Sequence, residues 1–326
     1  MQEFFPVRRP VLALLLCAGP AAWAQVPATY PAHPIKFVVN SSAGASVDTM
    51  TRLIGAQLSA SLKQPVVVEN RPGASGTIGA DAVAKSSADG YTALVGVTSL
   101  IQTPYLIPRL PYDIFKDLSP VLMLARGANI VVVPADSPVN TLQEFVSMVK
   151  ANPGKHNYGT YGNGTTAHIF GDSFNRQAGM DLVHVPFKSS SQMLAAVIGG
   201  QLSAGFPDAA SALPQVAAGK LKALAITGNQ RYKAIANVPT FAEAGFKGFE
   251  LYGWYGVFVP AGTPRANIDK LSAEIAHIVR TPEVASRFED LGLFVTATGP
   301  DAFAAEMRAD SQVWGRAIRA GNIRAE

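Results

Sequence analysis

The chain has 326 residues, 48% of them hydrophobic and 15% charged, with a formal net charge of +4 at pH 7. So small and evenly spread a charge excludes the basic footprint of a nucleic-acid binder. The length and apolar content suit a large soluble body, and two lobes fit this length better than one core.

The N-terminus reads as a secretory signal peptide covering residues 1–24. Arg8-Arg9 form a basic n-region, Val11 to Leu16 an apolar stretch, and Ala22-Trp23-Ala24 an A-x-A cleavage site before Gln25. The apolar run is shorter than the ~20 residues that span a bilayer, and Gly19-Pro20 breaks it. Cleavage after Ala24 leaves 302 of the 326 residues; it removes two of 27 basic and one of 23 acidic side chains, for a net charge of +3. The single cysteine, Cys17, leaves with the signal, so thiol catalysis is excluded in the mature chain. Leu16 is bulky where a lipid-attachment signal wants a small residue, and the paired arginines leave Sec and twin-arginine export both open. The expected product is exported, soluble and periplasmic.

Strands and helices then alternate. After a strand over Ile35 to Val39, the residues Val47, Met50, Leu53, Ile54, Leu58 and Leu62 fall on one face of a helix, with Ser46 as N-cap and Asp48 in the first turn. A strand at Val66-Val67-Val68-Glu69, a turn at Asn70-Arg71-Pro72-Gly73, a helix over Ile78 to Lys85 and a strand over Tyr91 to Val95 follow. The grammar repeats with a helix over Thr141 to Lys150, a strand at Tyr158 to Tyr161, and a helix from Ala167 to near Ala178-Gly179. Next come a strand at Leu182 to Pro186, a helix at Gln192 to Ile198, a strand at Leu202 to Phe206, a helix at Leu213 to Ala218 closed by Gly219, and a strand at Leu221 to Thr227. Trp254 to Val259 reads as a returning strand, before a helix over Arg265 to Val279 with Pro264 at its first turn. The pattern predicts an α/β fold of two lobes, each a mostly parallel sheet flanked by helices, with a ligand cleft between them. Residues 25–125 and 230–326 are expected to form a discontinuous first lobe and residues 126–229 the second.

Two loops share one design, a strand running into a small-residue turn that opens a helix. The first is Asn40-Ser41-Ser42-Ala43-Gly44-Ala45-Ser46, and the second is Gly162-Asn163-Gly164-Thr165-Thr166. Each presents backbone N–H groups at a helix N-terminus, where unsatisfied donors and the helix dipole favour an anion. Ligands of open α/β sheets bind outside the carboxyl ends of strands, where both loops sit. Two such ends facing one another would clamp a small carboxylate.

Catalysis finds little support. Gly162-Asn163-Gly164-Thr165-Thr166-Ala167 fits G-x-G-x-x-A, yet the following strand ends in Pro186-Phe187 and offers no acid for a ribose. A P-loop, a G-x-S-x-G elbow and an H-E-x-x-H helix are all missing, and the five histidines show no metal-ligand spacing. A non-enzymatic protein without cofactor or metal is expected.

A series of short stretches carries a resemblance. They are Tyr30-Pro31 with Pro34-Ile35, Gln64 to Gly76, Asp89-Gly90-Tyr91-Thr92, Asn152-Pro153-Gly154-Lys155, Gly162-Asn163-Gly164-Thr165 with His168, and His184-Val185-Pro186-Phe187-Lys188. Further on come Val238-Pro239-Thr240 with Glu243-Ala244-Gly245, Trp254-Tyr255-Gly256, and Pro260-Ala261-Gly262-Thr263-Pro264. Through these the mature chain resembles, nearly end to end, the Bug-type periplasmic receptors of tripartite tricarboxylate transporters. The resemblance implies a type II periplasmic-binding-protein fold, a monomer that closes on a small carboxylate, either di- or tricarboxylate or aromatic, and hands it to membrane permease subunits. A receptor that reports to a signalling partner needs the same cleft and is not separated by sequence. This chain departs from the family at Asn40 to Ser46, where most members have a proline-rich turn with paired glycines. It departs again at Phe187-Lys188-Ser189, where Tyr-Lys-Gly is usual, and at Met193 to Ala196, where an acid is common.

The expected ligand contacts are Ser41, Ser42, Ala43, Gly44, Ala45, Ser46, Asp48, Ser99, Gly162, Asn163, Gly164, Thr165, Thr166, His168, Phe187 and Asp208. Several have a structural alternative. Ser46 and Asp48 start a helix with or without a ligand, and the Asp48 charge repels a carboxylate unless it turns away or pairs. The glycines of the second loop supply positive φ. His168 is a ligand contact or a packed, capping histidine, Phe187 is cleft or core, and Asp208 faces the cleft or caps the next helix. Among hydroxyls, Thr165 is favoured because it opens its helix.

Export is directly testable. Replacing Ala22 and Ala24 with bulky residues is expected to leave an uncleaved, membrane-associated precursor. Mass spectrometry of the exported native protein should read an N-terminus within a residue or two of Gln25, and an intact Met1 there would overturn the assignment.

Overall fold

The computed structural model describes residues 1–2 and 30–325, so the expected signal peptide, but for its first two residues, and its cleavage site lie outside the described residues. The elements run β1 (Ile35–Val39), α1 (Ser46–Leu62), β2 (Val66–Asn70), a 3₁₀ turn (Ala74–Gly76), α2 (Thr77–Ala84), β3 (Thr92–Val97), α3 (Ser99–Leu106) and β4 (Leu118–Gly127). Then follow β5 (Ile130–Pro134), α4 (Leu142–Ala151), β6 (His156–Thr160), α5 (Thr166–Gln177), β7 (Leu182–Pro186), α6 (Ser190–Ile198), β8 (Ala204–Gly205), α7 (Ala209–Ala217) and β9 (Leu221–Ile226). The chain ends with β10 (Gly253–Pro260), α8 (Arg265–Val279), α9 (Pro282–Asp290), β11 (Leu293–Thr298) and α10 (Pro300–Ala320).

These strands form two sheets, ordered β11-β4-β10-β3-β1-β2 and β7-β6-β8-β5-β9. The first sheet draws strands from both ends of the described chain and the second from its middle. Both sheets are mixed, where the alternation of elements had suggested mostly parallel ones. β1 pairs parallel with β2 and β3, but the returning β10 inserts antiparallel between β3 and β4, and β11 joins β4 antiparallel. In the second sheet β6 is parallel to β7 and β8, whereas β5 runs antiparallel to β8 and β9.

Register places the loops that matter. Val39 at the end of β1 is level with Asn70 of β2 and Val95 of β3, so three connections leave one edge together. Thr160 is level with Pro186, and Gly159 with both Val185 and Gly205, so the connections after β6, β7 and β8 do the same. Gly159 and Gly205 are required by packing. A Cβ on either would lie 2.6 Å from the fully buried Met193, which lets α6 press directly on the sheet.

The chain passes between the sheets at Ala128-Asn129 and again over residues 227–252. The two passages are tied: Thr227 N–H donates to Asn129 O at 2.9 Å, and Asn129 N–H to Thr227 Oγ1 at 3.0 Å. Asn129, 3% exposed, also donates through Nδ2 to the Tyr161 hydroxyl and to Pro207 O, both at 3.2 Å. One apolar cluster continues through both halves, from Val38 and Leu94 through Trp254, Phe303 and Trp314 to Phe170 and Phe174.

Several elements begin where side-chain caps put them. Thr141, Thr165, Ser189 and Asp208 cap α4, α5, α6 and α7, so α6 and α7 start before the expected Gln192 and Leu213. The strand expected over Leu202 to Phe206 contracts to two residues, because β8 pairs with β5 only at Gly205.

Candidate ligand-binding site

Three connections from the first sheet and the loop after β6 meet at one place. Asn40 follows β1 and is buried, with its side chain against the start of α2: a Cβ on Gly76 would lie 2.4 Å from Asn40 Nδ2, and one on Gly79 3.1 Å from Asn40 Cβ. Ser99 at the start of α3 has Oγ 3.5 Å from Ser75 O. Farther along α3, the buried Gln102 exchanges hydrogen bonds with Thr166 of α5, at 3.1 and 3.3 Å, and Leu106 packs where a Gly164 Cβ would sit. Thus α3 joins the two sets of loops.

In the first loop the expected N-cap is corrected. Ala45, not Ser46, is the N-cap of α1, and its side chain makes no capping bond. The reason is Asp48, whose carboxylate reaches back to accept from Gly44 N–H at 2.8 Å and from Arg52 Nε at 3.1 Å and Asn70 Nδ2 at 2.9 Å. A charged acceptor makes stronger hydrogen bonds than a serine hydroxyl. Asp48 therefore turns inward and resolves to its paired alternative, with Arg52 as its counter-charge. Burial raises its pKa, but the bonds from Gly44, Arg52 and Asn70 outweigh this and hold it below the usual carboxylate value. Asn70 Nδ2 also donates to Ser41 O at 3.2 Å, which fixes the start of the loop. Ser42, Ala43 and Gly44 are exposed. The N–H groups of Ser46, Val47 and Asp48 precede the first bond of the helix, which Thr49 makes to Ala45 O.

The second loop is more internally committed than its sequence suggests. Thr165 caps α5 by accepting from His168 N–H and donates to Gly162 O at 2.8 Å, so its hydroxyl is spent locally. Gly164 N–H donates to His168 Nδ1 at 3.1 Å, which makes His168 a holder of the loop. Thr166 is taken by Gln102, while Asn163 stands half-exposed at the tip. Phe187 is half-buried against the second sheet's core, and its N–H donates to Thr160 O at 2.9 Å. Asp208 resolves to its capping alternative, accepting from Ser211 N–H at 3.0 Å and from the hydroxyls of Ser211 and Ser190. Lys188 is exposed, and a second cation, Arg52, lies under the first loop, already engaged by Asp48 and Asn70.

Sequence reasoning missed Asn40 and the turn Gly73-Ala74-Ser75-Gly76. Four consecutive positive φ angles, 122°, 46°, 56° and 90°, bring this turn to the start of α2, two of them at non-glycine residues where such values are strained. The signal was present, since this is a third small-residue turn between a strand and a helix. Among the described residues, Asn40 Nδ2 and Oδ1 and Ser41 Oγ are buried without a protein hydrogen-bond partner. An unsatisfied buried polar group costs about 1–3 kcal/mol, and most such groups in native proteins are paired. The three atoms of Asn40 and Ser41 lie between the end of β1, the start of α1 and the 3₁₀ turn that leads into α2.

The Asp48 network carries its own test. Asp48→Asn keeps the shape and removes the charge, and is expected to destabilise the protein by about 2 kcal/mol at neutral pH, as for lost hydrogen bonds to a charged group. A carboxyl whose pKa is lowered by folding contributes stability above its unfolded pKa and loses it as the pH falls. The difference between wild type and variant in urea denaturation should therefore shrink in acid.

Comparison with known proteins agrees with this architecture. The family model for the tripartite tricarboxylate transporter family receptor matches residues 50–323. A protein encoded in the tcbD-tcbE intergenic region of Pseudomonas sp. (strain P51) is 34% identical over 314 residues, covering 95% of this chain and 94% of that one. Among solved structures, a periplasmic transporter is 37% identical with a TM-score of 0.83, covering 91% of this chain and all of that one. Rpa4515 of R. palustris, solved with adipate, has 29% identity and a TM-score of 0.83 over 91% of this chain and all of its own. MatC of Rhodopseudomonas palustris, solved with bound malate, has 31% identity and a TM-score of 0.78 over 89% of this chain and all of its own. With a family model covering most of its length and a relative more than 30% identical nearly end to end, the chain belongs to the tripartite tricarboxylate transporter receptor family, whose members are periplasmic receptors.

Proposed function

We propose that this protein is exported through its residue 1–24 signal peptide and holds a small carboxylate where the two sheets meet. It then delivers that carboxylate to the membrane subunits of a tripartite tricarboxylate transporter. In this reading residues 25–125 and 230–326 form one lobe and residues 126–229 the other, with the ligand between them. The observation that carries it is the buried Asn40 amide, without a protein partner, beside the Gly76 backbone and near the start of α1, whose first helical bond is made by Thr49. Adipate and malate, held by two relatives, are both aliphatic dicarboxylates, and that is the ligand class favoured here.

Beside the first loop the two cationic side chains are already committed, while Lys188 stands exposed after β7. Arg52 is engaged by Asp48, and Arg71 pairs with Glu69. Backbone N–H groups, an amide and hydroxyls are left to meet the ligand, which suits a guest whose charge is balanced by oriented dipoles.

Calorimetry with adipate and malate tests this. Asn40→Leu, similar in shape and apolar, is expected to weaken binding at least tenfold, equivalent to ~1.4 kcal/mol. The same change should raise the melting temperature of the unliganded protein, because it removes two orphaned atoms worth about 1–3 kcal/mol each. Affinity should fall only mildly between low and high salt, since dipoles rather than exposed charges hold the anion. Unchanged affinity in Asn40→Leu would overturn the proposed site.

A further inference from the structure

We propose that His168 and His184 are positioning residues that clasp the Gly162-Asn163-Gly164 turn from both ends and keep it in its ligand-binding shape only while the His168 imidazole is neutral. This deepens the receptor reading above and rests on it for the ligand's part.

The clasp is visible in the hydrogen bonds. At one end Gly164 N–H donates to His168 Nδ1 at 3.1 Å. An imidazole nitrogen that accepts carries no proton, so the neutral His168 is the tautomer protonated at Nε2. At the other end His184 Nε2 lies 2.7 Å from Thr160 Oγ1. That hydroxyl is 3.2 Å from Gly162 O and accepts weakly from Gly162 N–H at 3.4 Å. The two rings are stacked, with centroids 3.8 Å apart and planes 16° from parallel. Gly162 and Gly164 have φ of 143° and 66°, so backbone preference alone does not select this turn and outside contacts must.

Protonation undoes the arrangement. A proton on His168 Nδ1 sets two donors against each other at Gly164, and the turn must give way. A charge on either ring also falls on its stacked partner. From β7, His184 faces the ring of His168. From β6, Tyr158 packs 5.0 Å from the His184 ring, and Thr160 presents its hydroxyl. On α5 itself Asp172 lies one turn beyond His168 and favours its charge, but is already paired with Arg176 at 2.8 Å. α10 brings the Gly321 backbone against Asp172 and Trp314 against Phe170, and adds no charge to the stack among these contacts. Burial holds His168 below the usual imidazole value, and burial with His168 alongside pushes His184 down to about 4.

Two measurements test the proposal. Glycine-selective ¹⁵N labelling follows the Gly164 amide without ligand. Its resonance should leave its hydrogen-bonded position as His168 titrates in acid, and should stay in place in His168→Asn, whose side-chain oxygen accepts the same N–H without titrating. Calorimetry with adipate should show wild-type affinity falling at least tenfold more than that of His168→Asn between pH 7.5 and 4.5, since the ligand's own protonation is common to both. At pH 7.5 His168→Asn should keep affinity within about threefold, while His168→Leu, without an acceptor, should lose at least tenfold. A Gly164 amide indifferent to pH, or equal pH dependence in wild type and His168→Asn, would overturn the clasp. A responsive amide in a protein that binds no dicarboxylate at any pH would instead sink the receptor reading.

Discussion

Asn129 is the point on which the two-part architecture turns. It lies where the chain leaves the first sheet, pairs with Thr227 where the chain leaves the second, and holds Tyr161 and Pro207 through its side chain. Tyr161 directly precedes the Gly162-Asn163-Gly164 turn, and Pro207 directly precedes the Asp208 cap of α7. A single buried amide thereby fixes the passage between sheets, the root of that turn and the start of a helix. Because backbone and side-chain bonds converge on one shielded residue, the loops on either side inherit a common reference frame.

A second constraint works outward from the sheet edges. Strands that end level leave helix starts and turn backbones pointing into one space, and every buried polar group there needs a partner. The protein meets that need unevenly. Asp48, Thr165 and Asp208 are locked into caps, while Asn40 and Ser41 are left without protein partners. The acidic groups are engaged by local donors, Asp48 by a cation and Asp208 by serines, and neutral groups are left open. The helix α3 holds the arrangement together by touching the 3₁₀ turn with Ser99 and α5 with Gln102.

Much of this was legible in the sequence, for reasons that differ by element. The strand at Leu182 to Pro186 and the helix at Arg265 to Val279 fall where they were read, because turn residues bracket the first and Pro264 fixes the start of the second. The stretches at α3, β4 and β5 were not read as elements. Pro104 interrupts the helical pattern of α3, and Ala128-Asn129 between β4 and β5 lacks the glycine-containing pair by which a two-residue connection is read. Strand direction was misjudged because alternation of elements does not reveal that β10 inserts between β3 and β4 in reverse. At the site, the small-residue turns identified the right loops but not who occupies their donors. That His168 captures Gly164, or that Asp48 displaces Ser46 as the capping group, depends on side-chain reach in three dimensions. Asn40 escaped because an asparagine at a strand end reads as an ordinary turn residue, and only its burial sets it apart.

The apolar cluster that runs unbroken from the first sheet to the second bears on how such a molecule admits its ligand. Parting the halves widely would expose that shared interior, and ~200 Å² of apolar surface laid bare costs about 5 kcal/mol. A state that far uphill is occupied on the order of twice in ten thousand molecules. The molecule is therefore expected to behave as a stiff clip whose jaw flexes at the rim, with the exposed Ser42 to Gly44 as the moving lip. Its rate of capture then reflects loop excursions on the nanosecond-to-microsecond scale, faster than the swing of whole domains.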